Sequence, residues 1–291
     1  MLNSFYQLVI DDYTFGVEYT FHTAYVLKKE YVEEEVYGPF TKTTWDQGWP
    51  YNSGLDDTSK YLGCMTIATA QFMRYFEEPD VYSIGDVDYH WADMPNRYSN
   101  SVLSAFLADL MKRLNITESG LGTMKSALDV LISFGYDVVW RDYNSSALNA
   151  SLKRQNVAIL DGRKSKGAVG HGWVCDGYQY KKYYTDYKLF ALDYAAYPDY
   201  VYECTSYTRE EDYGAGDYYY HMNWGWGGSS NGWFHKEEWR PLNGSTVEDF
   251  TYKPTMIMKN CINYVKKNYV HCPDGNVVQL REGRRDTKWR V

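Results

Sequence analysis

The stretch KYLGCMTIATAQFMRYFEEP, residues 60–79, decides how the rest of the chain is read. Met65, Ala68, Thr69, Phe72, Met73 and Phe76 recur at intervals of three and four, the period of a helix with one buried face, and Pro79 ends the pattern. The spacing predicts that Cys64, directly after Gly63, stands at the helix N-terminus. Unpaired backbone N–H groups and the positive end of the helix dipole favour an anion there, so a thiolate forms more easily than in a strand or a helix middle. Position marks Cys64 as a candidate nucleophile. The competing reading is a small buried hydrophobe.

Two further helices follow. SVLSAFLADLMKRLN (101–115) carries Val102, Phe106, Leu107, Leu110 and Leu114 at helical spacing. GTMKSALDVLISFGYDVVW (122–140) carries Met124, Leu128, Leu131, Ile132 and Phe134, with Gly135 placed to end it. Upstream, TWDQGWPYN (44–52) reads as a loop through its glycine and proline. Beyond Val138 the period shifts to strands: NVAILDG, GHGWVCDGYQY, KLFALDYAAYP, YYYHMNWGW and NGWFHKEEW are short, β-rich and separated by glycine or charge. Helices first and strands second predict an α+β protein with a helical lobe carrying Cys64, an antiparallel β lobe, and a cleft between them. The expected organisation is an N-terminal segment at 1–37, a leader or prodomain remnant, then a domain at 38–263 and a basic tail at 264–291.

Composition narrows the function classes. The chain has 291 residues, enough for a sizeable core, and a formal net charge of −8, which gives no broad attraction to phosphate backbones. Nucleic acid is therefore not the expected partner. No apolar run approaches the roughly 20 residues of a membrane span, and MLNSFYQLVIDDY lacks the basic start and long apolar middle of a secretory signal. Thirty-one tyrosines and ten tryptophans suit a groove for peptide or sugar, or simply an aromatic-rich core and surface. Five cysteines leave at least one thiol unpaired within the chain; if that one is Cys64, the other four can pair in three ways.

A nucleophilic cysteine needs a base, a group that orients the base, and donors for an oxyanion. His171 opens HGWVCDGY after the glycine-containing stretch KSKGAVG, at a strand start. Strand alternation puts His171, Trp173 and Cys175 on one face and Gly172, Val174 and Asp176 on the other. His221, in HMNWGWGGSSNGWF, is the rival base and shares a face with Asn223. Cys175 reads as core.

The segments WDQGWPYN, GCMTIATAQFMRY, VGHGWVCDGY and HMNWGWGGSSNGWF, in this order and with YHWADMP between them, resemble the signature segments of the streptopain family of cysteine peptidases, relatives of the papain fold. The resemblance covers roughly residues 38–263. It implies a papain-like two-lobe fold with Cys64 as nucleophile, His171 as general base and Gln47 as an oxyanion donor together with the Cys64 N–H. It also implies that Asn223 or Trp224 orients the histidine, the first by a hydrogen bond, the second by packing alone. Trp226 is expected in the cleft wall, and Gly170, Ser119 and Gly120 in substrate binding. Paired with an imidazolium, the Cys64 thiol would drop from about 8.5 to about 3.5–7.5.

By that resemblance the chain is a cysteine endopeptidase acting on polypeptides through an acyl-enzyme, secreted or displayed at the cell surface or periplasm, and controlled by an inhibitory prodomain or a separate inhibitor. No metal-ligand spacing is present, and the chemistry needs no cofactor. Two alternatives share the fold: a hydrolase of cell-wall peptides or isopeptides, and an inactive glycan- or peptide-binding protein. Retention of Gln47, Cys64, His171 and Asn223 together counts against the inactive form.

Overall fold

Cys64–Phe76 forms the expected helix, α1, with Gly63 as its N-cap. Its burial exceeds one face: every residue from Met65 to Phe76 except Arg74 is buried, because α2 and α3 cover one side and the sheet the other. Small residues around the helix, Ala68, Thr69 and Ala70, let neighbours approach from all sides.

The computed structural model describes residues 7–11, 23–116, 122–192, 201–211, 217–260, 270–271 and 277–278. In chain order these form β1 (Gln7–Asp11), β2 (Thr23–Tyr37), α1, the hairpin β3 (Val81–Ile84) and β4 (Val87–His90), α2 (Ser101–Arg113), α3 (Met124–Ser133), β5 (Val138–Asp142) and α4 (Ser145–Lys153). Then follow β6 (Ala158–Arg163), β7 (Gly170–Leu192), β8 (Val201–Glu211), β9 (Asp217–Asn223), β10 (Gly232–His235), β11 (Leu242–Asn243), β12 (Thr246–Val247), β13 (Tyr252–Lys259), β14 (Val270–His271) and β15 (Val277–Val278).

Two compact units divide the chain. One comprises Met1–Val36 with Gln179–Tyr218, the other Tyr37–Tyr178 with Tyr219–Val291. In the first, β1 pairs antiparallel with β2, and the far half of β7 pairs with β8, from Tyr183↔Glu211 to Leu192↔Val201. Residues 179–218, contiguous in sequence with the expected 38–263 domain, thus cluster with the N-terminal segment.

The second unit holds both lobes. Its sheet runs β5, β13, β6, β7, all antiparallel, with Trp140↔Ile257, Ile257↔Ile159, Ile159↔Val174 and Gly162↔His171 in register; β9 continues it through β7 and pairs with β10. Alternation along β7 is as the sequence predicts. Val174 belongs to the core beneath the helices, whereas His171 and Trp173 stack with Trp224 and Phe250 on the opposite side.

Helix ends follow their local sequence. Asn100 caps α2 by accepting from the Leu103 N–H at 2.8 Å, and Thr123 with Ser126 forms a capping box on α3. On α3 the buried face is Met124, Ala127, Val130 and Leu131, while Ile132, expected inside, is exposed. The short helix α4 was not anticipated in a region read as strands. Its signals are the Asn144 cap, accepting from Ala147 N–H at 2.9 Å, and Leu148 with Leu152 one turn apart, both buried.

Phe106 of α2 sits at the centre of the helical core, edge-on to Tyr82 (ring centroids 4.7 Å apart), Trp91 (5.5 Å) and Trp45 (6.4 Å). Such rings combine large apolar area with preferred edge-to-face geometry. Phe106→Ala is expected to destabilise the protein by about 3–5 kcal/mol, read as a lower urea midpoint with an unchanged slope.

Candidate active site

The loop before α1 folds back on itself, as it must if Gln47 and Cys64 are to serve one atom. The Leu62 N–H donates to the Gln47 carbonyl at 2.9 Å, so Gln47 lies across from the residues that open the helix. Asn52, buried, staples the intervening turn by donating through Nδ2 to the carbonyls of Thr58 and Lys60, each at 2.8 Å. Its role is invisible in the sequence, where it reads as one more turn residue. Gly63 has φ of +84°, a conformation open to glycine. No side chain caps the N-terminus of α1 and no acidic residue lies in its first turn, so the positive helix end is left for another anion.

Cys64 lies against β7. The backbone N–H of Gly172 acts on its sulfur, pulling the thiol's pKa down, and a Cβ on Gly172 would stand 2.2 Å from the Met65 Sδ. The glycine therefore lets the first turn of α1 rest directly on the strand that carries the histidine. His171, the preceding residue, is 7% exposed. Its Nε2 bonds the backbone carbonyl of Trp224 at 2.9 Å. A carbonyl can only accept, so Nε2 carries the proton and the neutral ring keeps its lone pair on Nδ1. Trp226 (4.8 Å between centroids), Phe250 (5.2 Å), Trp224 (6.1 Å) and Trp173 (6.2 Å) box the ring.

This corrects the expected role of the asparagine. Asn223 does not reach His171: its Nδ2 donates to the Thr43 carbonyl at 2.7 Å and to Thr41 Oγ1 at 3.2 Å, and its Oδ1 accepts from the Gly225 N–H at 3.4 Å. Asn223 thereby shapes the turn that presents Trp224, and Asn231 Oδ1 accepts from the Trp224 N–H at 3.0 Å to fix it further. Trp224 orients the imidazole by its backbone oxygen as well as by packing.

His221, the rival base, is engaged elsewhere. Its Nδ1 pairs with Asp176 Oδ1 at 2.6 Å, and the other oxygen of that buried carboxylate accepts from the Thr41 N–H at 2.9 Å. Cys175 is a fully buried free thiol whose pKa burial pushes well up, as a core cysteine should be, so it is not part of a disulfide. The side chain of Cys204 and the whole of Cys261, Cys272, Ser119 and Gly120 lie outside the described residues. Among the described residues, no group of three histidine, cysteine or carboxylate side chains is arranged to hold a metal ion.

Cys64 and Gly170 line one cavity of about 670 Å³, together with Asp161. Trp226 contacts His171 and is not in that lining. Asp161 escaped the sequence reading because NVAILDG looks like an apolar strand. Its place comes from register, since β6 sets Asp161 opposite Gly172.

Electrostatics runs against the expected thiolate. Burial pushes the Cys64 thiol up, and the Asp161 carboxylate adds to the rise, while the N–H groups of Gly172, Met65 and Cys64 pull it down without winning. Burial takes His171 down to about 4, against the opposing effects of the Trp224 carbonyl and Glu248. Asp161 is raised by burial to about 6, with Arg163 opposing. In this arrangement burial favours the neutral thiol and the neutral imidazole.

Two stability slopes follow, of opposite sign. His171, neutral when folded, gives stability fully present above about pH 6.5 and lost as pH falls toward about 4. Asp161, held protonated when folded, gives stability present below about pH 4 and lost as pH rises through about 6. The wild-type profile across that window is expected to be flattened. Asp161→Asn removes one slope, so urea midpoints should rise steadily from about pH 4 to about pH 6.5. The same variant should speed alkylation of Cys64 by iodoacetamide at neutral pH, because the carboxylate that disfavours the thiolate is gone.

Residues 45–234, more than half of the chain, match the model of the Peptidase C10 family. Over 232 residues the chain is 25% identical to the thiol protease/hemagglutinin PrtT of Porphyromonas gingivalis, covering 66% of this chain and 22% of that protein. Among solved structures, the active wild-type interpain A cysteine protease of Prevotella intermedia matches with a TM-score of 0.52 at 21% identity, over 76% of this chain and 94% of that one. That likeness shows the fold, the papain-like α+β arrangement expected from the sequence. With the family match spanning both the cysteine helix and the histidine strand, the chain belongs to the Peptidase C10 family, the streptopain-type cysteine peptidases that its motifs resemble.

Proposed function

We propose that the protein is an endopeptidase in which Cys64 attacks the scissile carbonyl and His171 moves the proton. The observations that support this reading are the place of Cys64 at the start of α1 against Gly172 of β7, and the next strand residue, His171, held in the Nε2–H tautomer by the Trp224 carbonyl. That tautomer leaves Nδ1 as the base. In the first step the thiol gives its proton to Nδ1, a sulfur–carbon bond forms, and the carbonyl oxygen becomes an oxyanion. The N–H of Cys64 and the side-chain amide of Gln47 are the donors offered to it. Collapse breaks the carbon–nitrogen bond, and the amine leaves with the proton from Nδ1. Water then gives a proton to Nδ1, attacks the thioester and releases the acid, returning the sulfur its proton.

Burial favours the neutral form of both groups, which works against a preformed ion pair. His171 acts as a general base whose imidazolium is stabilised by Nε2–H donation to the Trp224 carbonyl. The aromatic box keeps water from competing for that ring.

Cys64→Ala and His171→Ala should each lower hydrolysis of a fluorescent casein by at least about 10⁴-fold, with urea midpoints reported alongside. Gln47→Ala should cost about 10²–10³ in kcat with a smaller change in KM, the signature of a donor used in the transition state. Unchanged casein hydrolysis in Cys64→Ala would overturn the assignment.

A further inference from the structure

The cavity at Cys64 differs in charge from the molecule around it. The chain carries a formal net charge of −8, yet the described lining of this cavity holds Lys125, Arg163, Lys166 and Lys253 against one carboxylate, Asp161. The cations come from separate stretches, the first turn of α3, the end of β6 with the loop after it, and β13, so no local sequence run creates the cluster. All four are exposed, whereas Asp161 is partly buried beside the sulfur. An approaching peptide meets the cations first.

Their present partners leave two of them for a ligand. Lys125 pairs with Asp129 one turn along α3, and Lys253 lies 5.9 Å from the centroid of the Tyr252 ring. Neither Arg163 nor Lys166 makes a salt bridge among the described residues: Glu248 is taken by Lys164, and Arg163 acts on the Asp161 carboxylate through its charge alone. A guanidinium offers paired donors that match a carboxylate, and convergent charge in a concave site attracts ions of opposite sign more strongly than the same charges on a flat surface.

We propose that this cleft selects polypeptide segments bearing acidic side chains next to the scissile bond, with Arg163 and Lys166 as the residues that receive them. The proposal rests on the peptidase reading above and adds the substrate class to it. It also assigns the strand end at Arg163 two duties: closing the register with Gly170 and reading the substrate.

The test compares three fluorogenic peptides that are identical except for glutamate, glutamine or lysine on both sides of the cleaved bond. Values of kcat/KM for the wild-type enzyme should rank glutamate, glutamine, lysine, with about tenfold or more between the extremes at low salt and a much smaller spread at about 0.3 M NaCl. Arg163→Glu combined with Lys166→Glu should invert the order. Equal values for the three peptides, or a faster lysine peptide, would overturn the proposal while leaving the peptidase reading intact. If wild type cleaves none of them, the peptidase reading fails instead, and the charge preference is read from fluorescence anisotropy of the same peptides on Cys64→Ala. Tighter binding of the glutamate peptide supports it, and equal Kd values sink it.

Discussion

A hydrogen bond of 2.9 Å from His171 Nε2 to the Trp224 carbonyl governs the rest of the site. An imidazole buried this deeply with an unpaired N–H would cost about 1–3 kcal/mol, so the bond is a condition of burying the ring at all. It also settles which nitrogen is basic. The carbonyl is itself held: Asn223 ties the turn to residues 41–43, and Asn231 takes the N–H of Trp224. Above the ring, Phe250 closes the aromatic box. Its backbone passes so near β6 that a Cβ on Gly162 would stand 2.0 Å from the Phe250 oxygen, and Gly162 is the register partner of His171. Removing side-chain volume at one strand position thus lets a distant loop cover the imidazole.

The charge state of the pair reflects a contest whose sides have different sizes. A helix N-terminus favours an anion by typically 0.3–1 kcal/mol, up to about 2 in good geometry. Loss of solvent can move a buried group by several times that amount, and Asp161 pushes in the same direction. Burial therefore prevails over the dipole. Three backbone N–H groups at the sulfur reduce the difference but do not reverse it.

Much of this fold was legible from periodicity. α1 and α2 appear where apolar residues recur at helical spacing, and the β7 faces follow strict alternation from His171 to Asp176. What escaped was set by contacts distant in sequence. The neighbours of Asp161 exist only through the β6 to β7 register, and the partner of His171 is a backbone atom, which carries no residue-specific signal. Asn223 was legible as important, but alternation along β9 tells which way it points and not what lies there. Residues 179–218 look like ordinary strands, and nothing in their pattern marks them as clustering with residues 1–36. α4 was missed because its nine residues offer only two large apolar side chains, Leu148 and Leu152, one turn apart.

α1 is enclosed on all sides, whereas the turns and strand ends that line the cavity at 122–125, 166–170 and 252–255 are partly or fully exposed except at Met124. Cys64 is therefore embedded in the part of the molecule least able to change, and the rim of its cavity lies in the part most able to. Chemistry and recognition can diverge at different rates in such a scaffold. New preferences can arise by exchange of rim side chains while the Cys64 sulfur keeps its place.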